Sequence, residues 1–292
     1  MTGNLKRVSD FWTDFSANRI ALVSLLIFFA IVFVAVFAPI VSPTNPYDLS
    51  SVDIMDSRLP PGSTNYSGQI FLLGTDGAGR YMLSSIFYGL RVSLGVGALS
   101  GVIALTIGSF FGVSAAFFRG KYETIVMRIV DIQLSFPSIL VALIIIAAFG
   151  KGIEKTMIAL ILVQWAYYAR TARASALVEM NKEYIDAARC LAFGNTRIMF
   201  KHILPNCLAP LIVVGTLQTA HAISLEATLS FLGLGLPVTE PSLGLLIGNG
   251  FEYMYSGDFW ISIFPGVALL ITVGSINLVG DHLRDMFNPR LH

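Results

Sequence analysis

A polar stretch between apolar ones decides the fold of this chain: residues 181–206 read NKEYIDAARCLAFGNTRIMFKHILPN. Asn181 is a predicted helix N-cap, and Glu183 falls in the first turn, where a negative charge suits the helix dipole. Gly194 is predicted to follow the C-terminus of this helix, and Pro205 to end a second one. The pattern predicts a short helix, a glycine turn and another short helix.

The first of these helices is predicted to be amphipathic. Its apolar face follows the i, i+3, i+4, i+7 spacing and consists of Tyr184, Ala187, Ala188 and Leu191. The small side chains of Ala187 and Ala188 would let a partner approach the backbone closely. Two interpretations are open from this stretch alone: a site that docks a partner, or an ordinary amphipathic surface hairpin.

The composition is that of a polytopic membrane protein. Of the 292 residues, 55% are hydrophobic and 13% are charged, and the mean hydropathy is +0.72. A soluble domain typically carries about 25% charged residues. The formal net charge is +1, so no overall field favours nucleic acid as a partner.

An all-α fold with six transmembrane helices is predicted, because about 20 apolar residues cross the hydrocarbon core. The third helix is predicted to kink at Phe136-Pro137. The fourth has only 14 uncharged residues between Lys155 and Arg170, so these side chains must extend to the membrane surfaces. Residues 81–91 are predicted to form a separate interfacial helix. The six predicted spans are 20–40, 92–118, 123–149, 156–169, 207–235 and 259–280.

Positive charge predicts the orientation of these helices. Six spans put both termini on one side, and fourteen of the 19 Lys and Arg residues fall on that side. Cytoplasmic loops are enriched in Lys and Arg, so both termini and the loop 170–206 are predicted to be cytoplasmic, and residues 42–80 extracytoplasmic. A five-span arrangement that lacks the fourth helix would place the loop 170–206 outside and remove the excess of Lys and Arg from one side. The five basic residues on the other side are Arg58, Arg80, Arg91, Lys151 and Lys155.

The chain lacks a sequence motif for nucleotide hydrolysis. The Gly-Lys pairs at 120–121 and 150–151 are followed by Tyr122 and Gly152, so neither is a Walker A motif. The signatures GxSxG, HExxH and GxGxxG are also absent from the sequence. If the chain pumps a solute, the energy must arrive through a partner that contacts residues 170–206.

Two ionisable residues lie inside the predicted fifth helix. A charge in mid-membrane costs on the order of 2.5–3.5 kcal/mol, so Glu226 should face a cavity or a partner. One hypothesis is that Glu226 lines the path or holds an internal polar contact. The other is a structural hydrogen bond to a neighbouring helix, or a protonated acid. His221 is predicted to be a packed polar residue and not a metal ligand, because no second ligand is evident.

Residues 181–206 resemble the cytoplasmic coupling loop of binding-protein-dependent ABC importer permeases. Asp186-Ala-Ala is followed, after thirteen residues, by His202-Ile-Leu-Pro205. Asp186 stands where the family usually has Glu, which keeps the charge. Ala192 stands where the family usually has Gly, with Gly194 two residues later. The resemblance implies that the ATPase-coupling residues are Glu183, Asp186, Ala187, Ala188, Ala192, Gly194 and Pro205.

Other stretches resemble one branch of these permeases, the C-type subunit of dipeptide, oligopeptide and nickel importers. They occur in family order: NR at 18–19, LGTDGAGR at 73–80, MRIVD at 127–131, SFP at 135–137, PN at 205–206, LSFLGLG at 229–235, LVGDHLRD at 278–285 and NPR at 288–290. The resemblance implies the type I importer permease fold in the bacterial inner membrane. Its implied divisions are an N-terminal region at 1–60, a periplasmic loop with the interfacial helix at 61–90, a permease core at 91–282 that contains the coupling loop 170–206, and a tail at 283–292.

The same resemblance implies a function, that of a non-catalytic permease subunit importing dipeptides or oligopeptides. The implied partners are a homologous B-type permease, two cytoplasmic ATPase subunits that bind ATP and Mg²⁺, and an extracytoplasmic substrate-binding protein. No cofactor or metal is expected in this chain. Importers of nickel chelates, glutathione and opines share these motifs, so the substrate is open. A stand-alone secondary transporter is a further alternative, but only Glu226 lies clearly in mid-membrane and no inverted repeat is apparent.

Overall fold

The computed structural model is mainly helical and describes residues 12–48, 52–65, 68–237 and 239–287. The motif at 288–290 and the basic residues Lys6 and Arg7 lie outside this part of the chain.

The first long helix, α1, spans Arg19–Val36. Asn18 caps it, because the Asn18 side-chain oxygen accepts hydrogen bonds from two backbone N–H groups of the first turn, at 3.0 and 3.2 Å. A short helix, α2, follows at Ala38–Val41. The predicted first span is therefore helical, but it is divided at Phe37.

The loop between α2 and the next helix contains the only strands among the described residues. After a 3₁₀ turn at Ile54–Asp56, the strands β1 (Ser63–Thr64) and β2 (Ile70–Phe71) form an antiparallel hairpin. Two-residue strands are too short to show the alternating pattern that predicts a strand. The predicted all-α fold is otherwise what the structure shows.

The longest helix, α3, spans Met82–Phe118 and is 37 residues long, which corresponds to about 55 Å. The prediction of a separate interfacial helix at 81–91 is wrong. No proline occurs between residues 82 and 118, so nothing stops the helix at residue 91. The two ends of α3 define two ends of the molecule, called here the Met82 end and the Phe118 end.

The predicted kink at Phe136-Pro137 is a sharp break. The helices α4 (Gly120–Ser135) and α5 (Ser138–Phe149) meet at 94°. The backbone at Phe136 is extended, with ψ at 142°, because the ring of Pro137 disfavours a helical conformation at the preceding residue. The pair is one broken span or a re-entrant segment.

Helix α6, Ile153–Glu179, packs along α3 in the most extensive helix pairing of the described residues. Two glycines of α3 make the close approach possible. A Cβ at Gly108 would lie 2.6 Å from the Cβ of Tyr168, and one at Gly112 would lie 2.7 Å from the Cβ of Ala172. Small residues four apart serve such contacts between membrane helices.

The remaining described residues form helices joined by turns and short loops. Helix α11 was not predicted, because three glycines in nine residues reduce helix propensity. These glycines allow close packing, since a Cβ at Gly244 would clash with the carbonyl oxygen of Ala227 in α10. The elements are α7 (Glu183–Cys190), α8 (Asn195–Arg197), a π-helix (Ile198–Ile203), α9 (Leu204–Asn206), α10 (Leu208–Phe231), α11 (Leu243–Phe251), a 3₁₀ turn (Met254–Ser256) and α12 (Trp260–Met286).

Four helices of the described residues are long and apolar enough to cross a membrane: α1, α3, α10 and α12. The bent pair α4–α5 adds a fifth span if it is counted as one. Helix α6 is not in this set, and it carries Glu154, Lys155, Arg170 and Arg173 near its ends. The count of six spans and the side on which the termini lie therefore stay predictions.

Candidate functional site

The predicted coupling helix is present as α7 and lies at the Phe118 end. A cavity of about 350 Å³ separates Phe117 of α3 from Asp186 of α7. The helix begins at Glu183, after Lys182 in an extended conformation. The prediction that Asn181 caps it is wrong, because the chain enters the helix one residue later and no side chain caps it. Glu183 and Asp186 both lie in the first turn, where the helix dipole favours them.

The buried face of α7 differs from the predicted one. Ile185 and Ala188 are buried, whereas Tyr184, Ala187 and Leu191 are exposed, Leu191 by 67%. The predicted face is wrong because apolar residues from the segment after the turn pack against Ile185 and rotate the helix. Ala187 is therefore available to a partner, while Ala188 supports the helix from beneath.

The turn after α7 places Ala192, and not Gly194, in the left-handed conformation. The φ of Ala192 is +56°. The Ala192 N–H donates to the Arg189 carbonyl at 2.9 Å, and the Phe193 N–H donates to the Ala188 carbonyl at 3.1 Å. These two bonds make a Schellman motif in which Ala192 occupies the position where glycine is usual. The predicted role of Gly194 is wrong, since Gly194 has a φ of −65° and precedes α8.

The prediction that Pro205 ends a second helix is also wrong. The elements α8, the π-helix and α9 follow one another directly, and Pro205 lies inside α9. Proline lacks an N–H and crowds the carbonyl four residues back, and a wider π-turn before it can accommodate both. Only the turn residue Cys207 separates this run from α10. The loop is therefore continuous with a spanning helix.

One apolar cluster fixes α7 to the helix bundle. Ile185 and Ala188 pack with buried residues of α3, α6 and α10. Deletion of a buried aliphatic side chain of this kind costs about 2–5 kcal/mol, so the attachment is firm. The buried members are Ala104, Val113, Ala116, Tyr168, Ala172, Ala176, Met180, Ile185, Ala188, Ile198, Met199, Ile203, Cys207 and Leu211.

The outward side of α7 combines charge with apolar surface. The Arg189 guanidinium pairs with the Asp186 carboxylate at 3.3 Å, and both side chains are about half exposed or more. An exposed pair contributes little stability, typically about 0–1 kcal/mol. Either partner of the pair can therefore be exchanged for a group on another protein at little cost.

Glu226 lies in a fully buried polar site between helices. The Ser93 hydroxyl of α3 donates to one carboxylate oxygen at 2.8 Å, and the Ser230 hydroxyl donates to the other at 2.7 Å. Ser93 in turn accepts the backbone N–H of Leu243 at 3.3 Å. The carboxylate thus joins α3 and α10 to the start of α11.

His221 lies half-buried on α10, and its Nδ1 has no hydrogen-bond partner within the part of the chain that the structure describes. Among those same residues, no three His, Cys, Asp or Glu side chains come together in a way that could hold a metal ion.

The motif at 73–80 is folded around Asp76 at the Met82 end. The Asp76 carboxylate accepts two backbone N–H groups, both at 2.9 Å, and pairs with the Arg80 guanidinium at 2.7 Å. The indole N–H of Trp260 donates to the Thr75 carbonyl at 3.3 Å. The loop is therefore fastened to the first residue of α12.

The predicted site residues fall into two groups. Glu183, Asp186, Ala187 and Ala188 lie on α7, with Ala192 and Gly194 in the next turn and Pro205 in α9. Glu226 and His221 lie apart from them, inside the bundle on α10. The hydroxyl partners of Glu226 were not predicted, although Ser230 is four residues away on the same helix face and could have been found from that spacing.

These features define a class by fold, the helical membrane protein with an exposed helix, α7, at one end and the fold of type I importer permeases. The fold is similar to that of a solved structure described as "Inward facing conformations of the MetNI methionine ABC transporter", with a TM-score of 0.56 and 23% sequence identity, over 71% of this chain and 98% of that one.

Two segments of the amino-acid sequence match known protein families. Residues 104–292 match "Binding-protein-dependent transport system inner membrane component", and residues 7–61 match "N-terminal TM domain of oligopeptide transport permease C". The chain belongs to the family of binding-protein-dependent transport system inner membrane components, and it is a multi-pass protein of the inner membrane. The resemblance stated from its motifs is confirmed.

Two relatives are similar over nearly their whole length. The "Di/tripeptide transport system permease protein DppC" of Pseudomonas aeruginosa is 41% identical over 97% of this chain and 92% of the relative. The "Dipeptide transport system permease protein DppC" of Escherichia coli strain K12 is 40% identical over 97% of this chain and 93% of the relative.

Proposed function

We propose that the chain is a non-catalytic permease subunit that imports short peptides and receives its energy from ATPase partners at α7. The observation that carries this proposal is the exposed helix α7, whose inner side packs on a core shared by α3, α6 and α10. A helix in this position can be displaced from outside the membrane and can move the spanning helices with it. ATP and Mg²⁺ belong to the ATPase partners, and this chain holds no cofactor.

The predicted coupling residues have different parts in this proposal. Glu183, Asp186 and Ala187 contact the ATPase, because they lie on the outward side of α7. Ala188 is buried beneath them and supports the helix. Ala192 and Gly194 shape the turn that follows, and Pro205 lies where the loop continues into α10.

For Glu226 we propose a structural role. Its carboxylate accepts hydrogen bonds from two hydroxyl groups, one on each oxygen, and a satisfied polar network of this kind fixes the relative position of the helices that supply it. His221 has no such network and is a packed polar residue. Neither residue is part of the proposed ATPase contact.

The orientation follows from charge. The excess of Lys and Arg supports a cytoplasmic Phe118 end and an extracytoplasmic Met82 end, with α6 and the bent pair completing six spans. A substrate-binding protein delivers its cargo to the Met82 end, where the loop with the motif 73–80 lies.

A homologous B-type permease completes the pore. Helix α1 offers it a broad apolar surface, since Leu26, Phe29 and Phe33 are each more than half exposed. Membrane helices associate through close packing of such surfaces.

Short peptides are the proposed substrate because the two relatives named above are described as peptide permeases. Nickel chelates, glutathione and opines are alternatives that the shared motifs allow. A stand-alone secondary transporter is less well supported, because Glu226 is enclosed by hydroxyl groups and has no exposed surface.

The function is tested in vesicles that contain the chain with its permease, ATPase and binding-protein partners. Labelled dipeptide should accumulate only when ATP is present on the cytoplasmic face, and excess unlabelled dipeptide should compete while glutathione and a nickel chelate do not. Accumulation by the chain without any ATPase partner would refute the proposal.

The contact itself is tested by a matched pair of substitutions. Ala187→Glu places a large charge on the outward side of α7 and should abolish co-purification of the ATPases. Ala17→Glu makes the same change at an exposed alanine before α1 and should leave co-purification intact. Equal recovery of ATPases with both variants would place the contact elsewhere.

A further inference from the structure

A buried carboxylate joins the end of α6 to the coupling helix. Glu179 is the last residue of α6 and is 7% exposed. One of its oxygens pairs with the Lys182 ammonium at 2.6 Å, and the other accepts the Tyr184 hydroxyl at 2.7 Å. Burial alone would raise the pKa of Glu179, but the hydrogen bonds from Lys182 and Tyr184 outweigh it and lower the pKa. The carboxylate is therefore charged at neutral pH.

The hydroxyl of Tyr184 also reaches the far end of the loop. The Asn206 amide of α9 donates to this hydroxyl at 3.2 Å and to the His202 carbonyl at 2.7 Å. Burial, followed by the hydrogen bond to Glu179, raises the pKa of Tyr184 well above its ordinary value. The hydroxyl therefore stays protonated. It donates a hydrogen bond to the Glu179 carboxylate and accepts one from the Asn206 amide.

Three elements therefore meet at one hydroxyl: the end of α6, the coupling helix α7 and the segment that continues into α10. The chain connections of α7 are short turns at 180–182 and 191–194. Its apolar face resists separation from the bundle but is non-directional, so it does not fix the direction of α7. Hydrogen bonds have preferred angles and distances, and those of the Tyr184 hydroxyl with Glu179 and Asn206 restrict rotation and sliding of α7.

We propose that Glu179, Tyr184 and Asn206 form a positioning joint that makes α6 and α10 move together with α7. The proposal rests on the proposed function and deepens it, because it names the residues that transmit the displacement. Tyr184 acts here as a positioning residue. Without the joint, α7 stays attached by its apolar face and still receives the ATPase, but it slides against the bundle instead of moving it.

The test uses Tyr184→Phe in the complete transporter. The control is Tyr167→Phe, because Tyr167 has the same exposed fraction, 37%, and no hydrogen bond from its hydroxyl within the described residues. For Tyr184→Phe we expect normal co-purification of the ATPases and an ATP hydrolysis rate close to that of the unaltered protein. Transport per ATP should fall about tenfold, the loss expected for one hydrogen bond to a charged group. Tyr167→Phe should keep the transport per ATP of the unaltered protein.

Glu179→Gln provides a second variant that keeps the shape of the side chain. Because Glu179 and Tyr184 share one contact, the double variant should lose less transport per ATP than the sum of the two single losses. Any loss beyond that of Tyr184→Phe alone comes from the ion pair of Glu179 with Lys182. Additive losses, an unchanged ratio in Tyr184→Phe, or loss of the ATPases from that variant would each overturn the joint.

A readout independent of transport separates the joint from the proposed function. Cys190 on α7 is exposed, whereas Cys207 is buried, and burial with the nearby charge of Glu179 raises the pKa of Cys207 to about 11. A thiol-reactive spin label therefore attaches to Cys190 alone. Label mobility should rise in Tyr184→Phe and not in Tyr167→Phe. Equal mobility would refute the joint even if the transporter moves no peptide, and absence of transport by the unaltered protein would refute only the proposed function.

Discussion

Replacing Ala192 by glycine should stabilise the turn after α7. Ala192 has a φ of +56°, and this conformation costs a non-glycine L-residue about 1–2 kcal/mol. The side chain is exposed, so its removal sacrifices no buried contact. Glycine gives back about 0.4–1 kcal/mol because it gains more freedom in the unfolded chain. The net gain is about 0.5–1 kcal/mol, which is a two- to fivefold change in the local opening equilibrium.

Hydrogen exchange measures this change directly. The Phe193 N–H is held by the Ala188 carbonyl at 3.1 Å, and it is released only when the turn opens. In Ala192→Gly, exchange of this amide should slow two- to fivefold after correction for the neighbouring side chain. Detergent-solubilised or bilayer-embedded protein is suitable, because the turn lies outside the spanning helices.

Gly194→Ala is the matched control for this prediction. Gly194 has a φ of −65°, which alanine adopts without strain, and a Cβ there would meet no atom within 4 Å. Exchange at Phe193 should therefore be unchanged or slightly slower. Unchanged or faster exchange in Ala192→Gly, or marked destabilisation by Gly194→Ala, would refute the assignment of the left-handed position.

Three other substitutions test the packing of the bundle. Gly112→Ala should destabilise the folded chain by about 1–3 kcal/mol in thermal unfolding, because the added Cβ would clash with the carbonyl oxygen of Ala169. Gly101→Ala should be tolerated, because the atom nearest to its added Cβ would lie 3.5 Å away. Equal effects of the two substitutions would contradict the α3–α6 packing. Glu226→Leu should lower thermal stability by about 1–3 kcal/mol for each hydroxyl left unpaired. Glu226→Gln should keep both the fold and the transport activity. Loss of transport in a stable Glu226→Gln variant would show that the carboxylate has a functional role. Trp260→Phe should lower the free energy of unfolding by about 1 kcal/mol, the typical contribution of a hydrogen bond such as the one from Trp260 to the Thr75 carbonyl. Proteolysis of the loop before α3 should become faster. An unchanged cleavage rate would show that this hydrogen bond does not hold the loop.

The sequence predicted where the candidate site lies along the chain, but not how its residues are arranged. The acidic first turn and the small residues of 183–188 predicted a docking helix, and the structure has an exposed helix at that place; that a partner docks there stays a prediction. The inward face, the cap and the left-handed residue were each predicted wrongly. These features depend on how the segment after the turn packs against α7 and leads into α10, and local spacing does not report that packing.

The sequence by itself determined that this is a polytopic membrane protein, because apolar length is summed along the chain and needs no knowledge of contacts, and its motifs gave the resemblance to the importer permeases. It also predicted a short helix within residues 181–206, because that segment is polar and lies between apolar ones, and the structure has α7 there. Only the tertiary structure decided that α3 continues through residue 91, that Phe136-Pro137 turns the chain by 94°, and that Glu179, Tyr184 and Asn206 meet. The physical reason is that each of these outcomes depends on atoms far apart in sequence, whose packing outweighs local preferences.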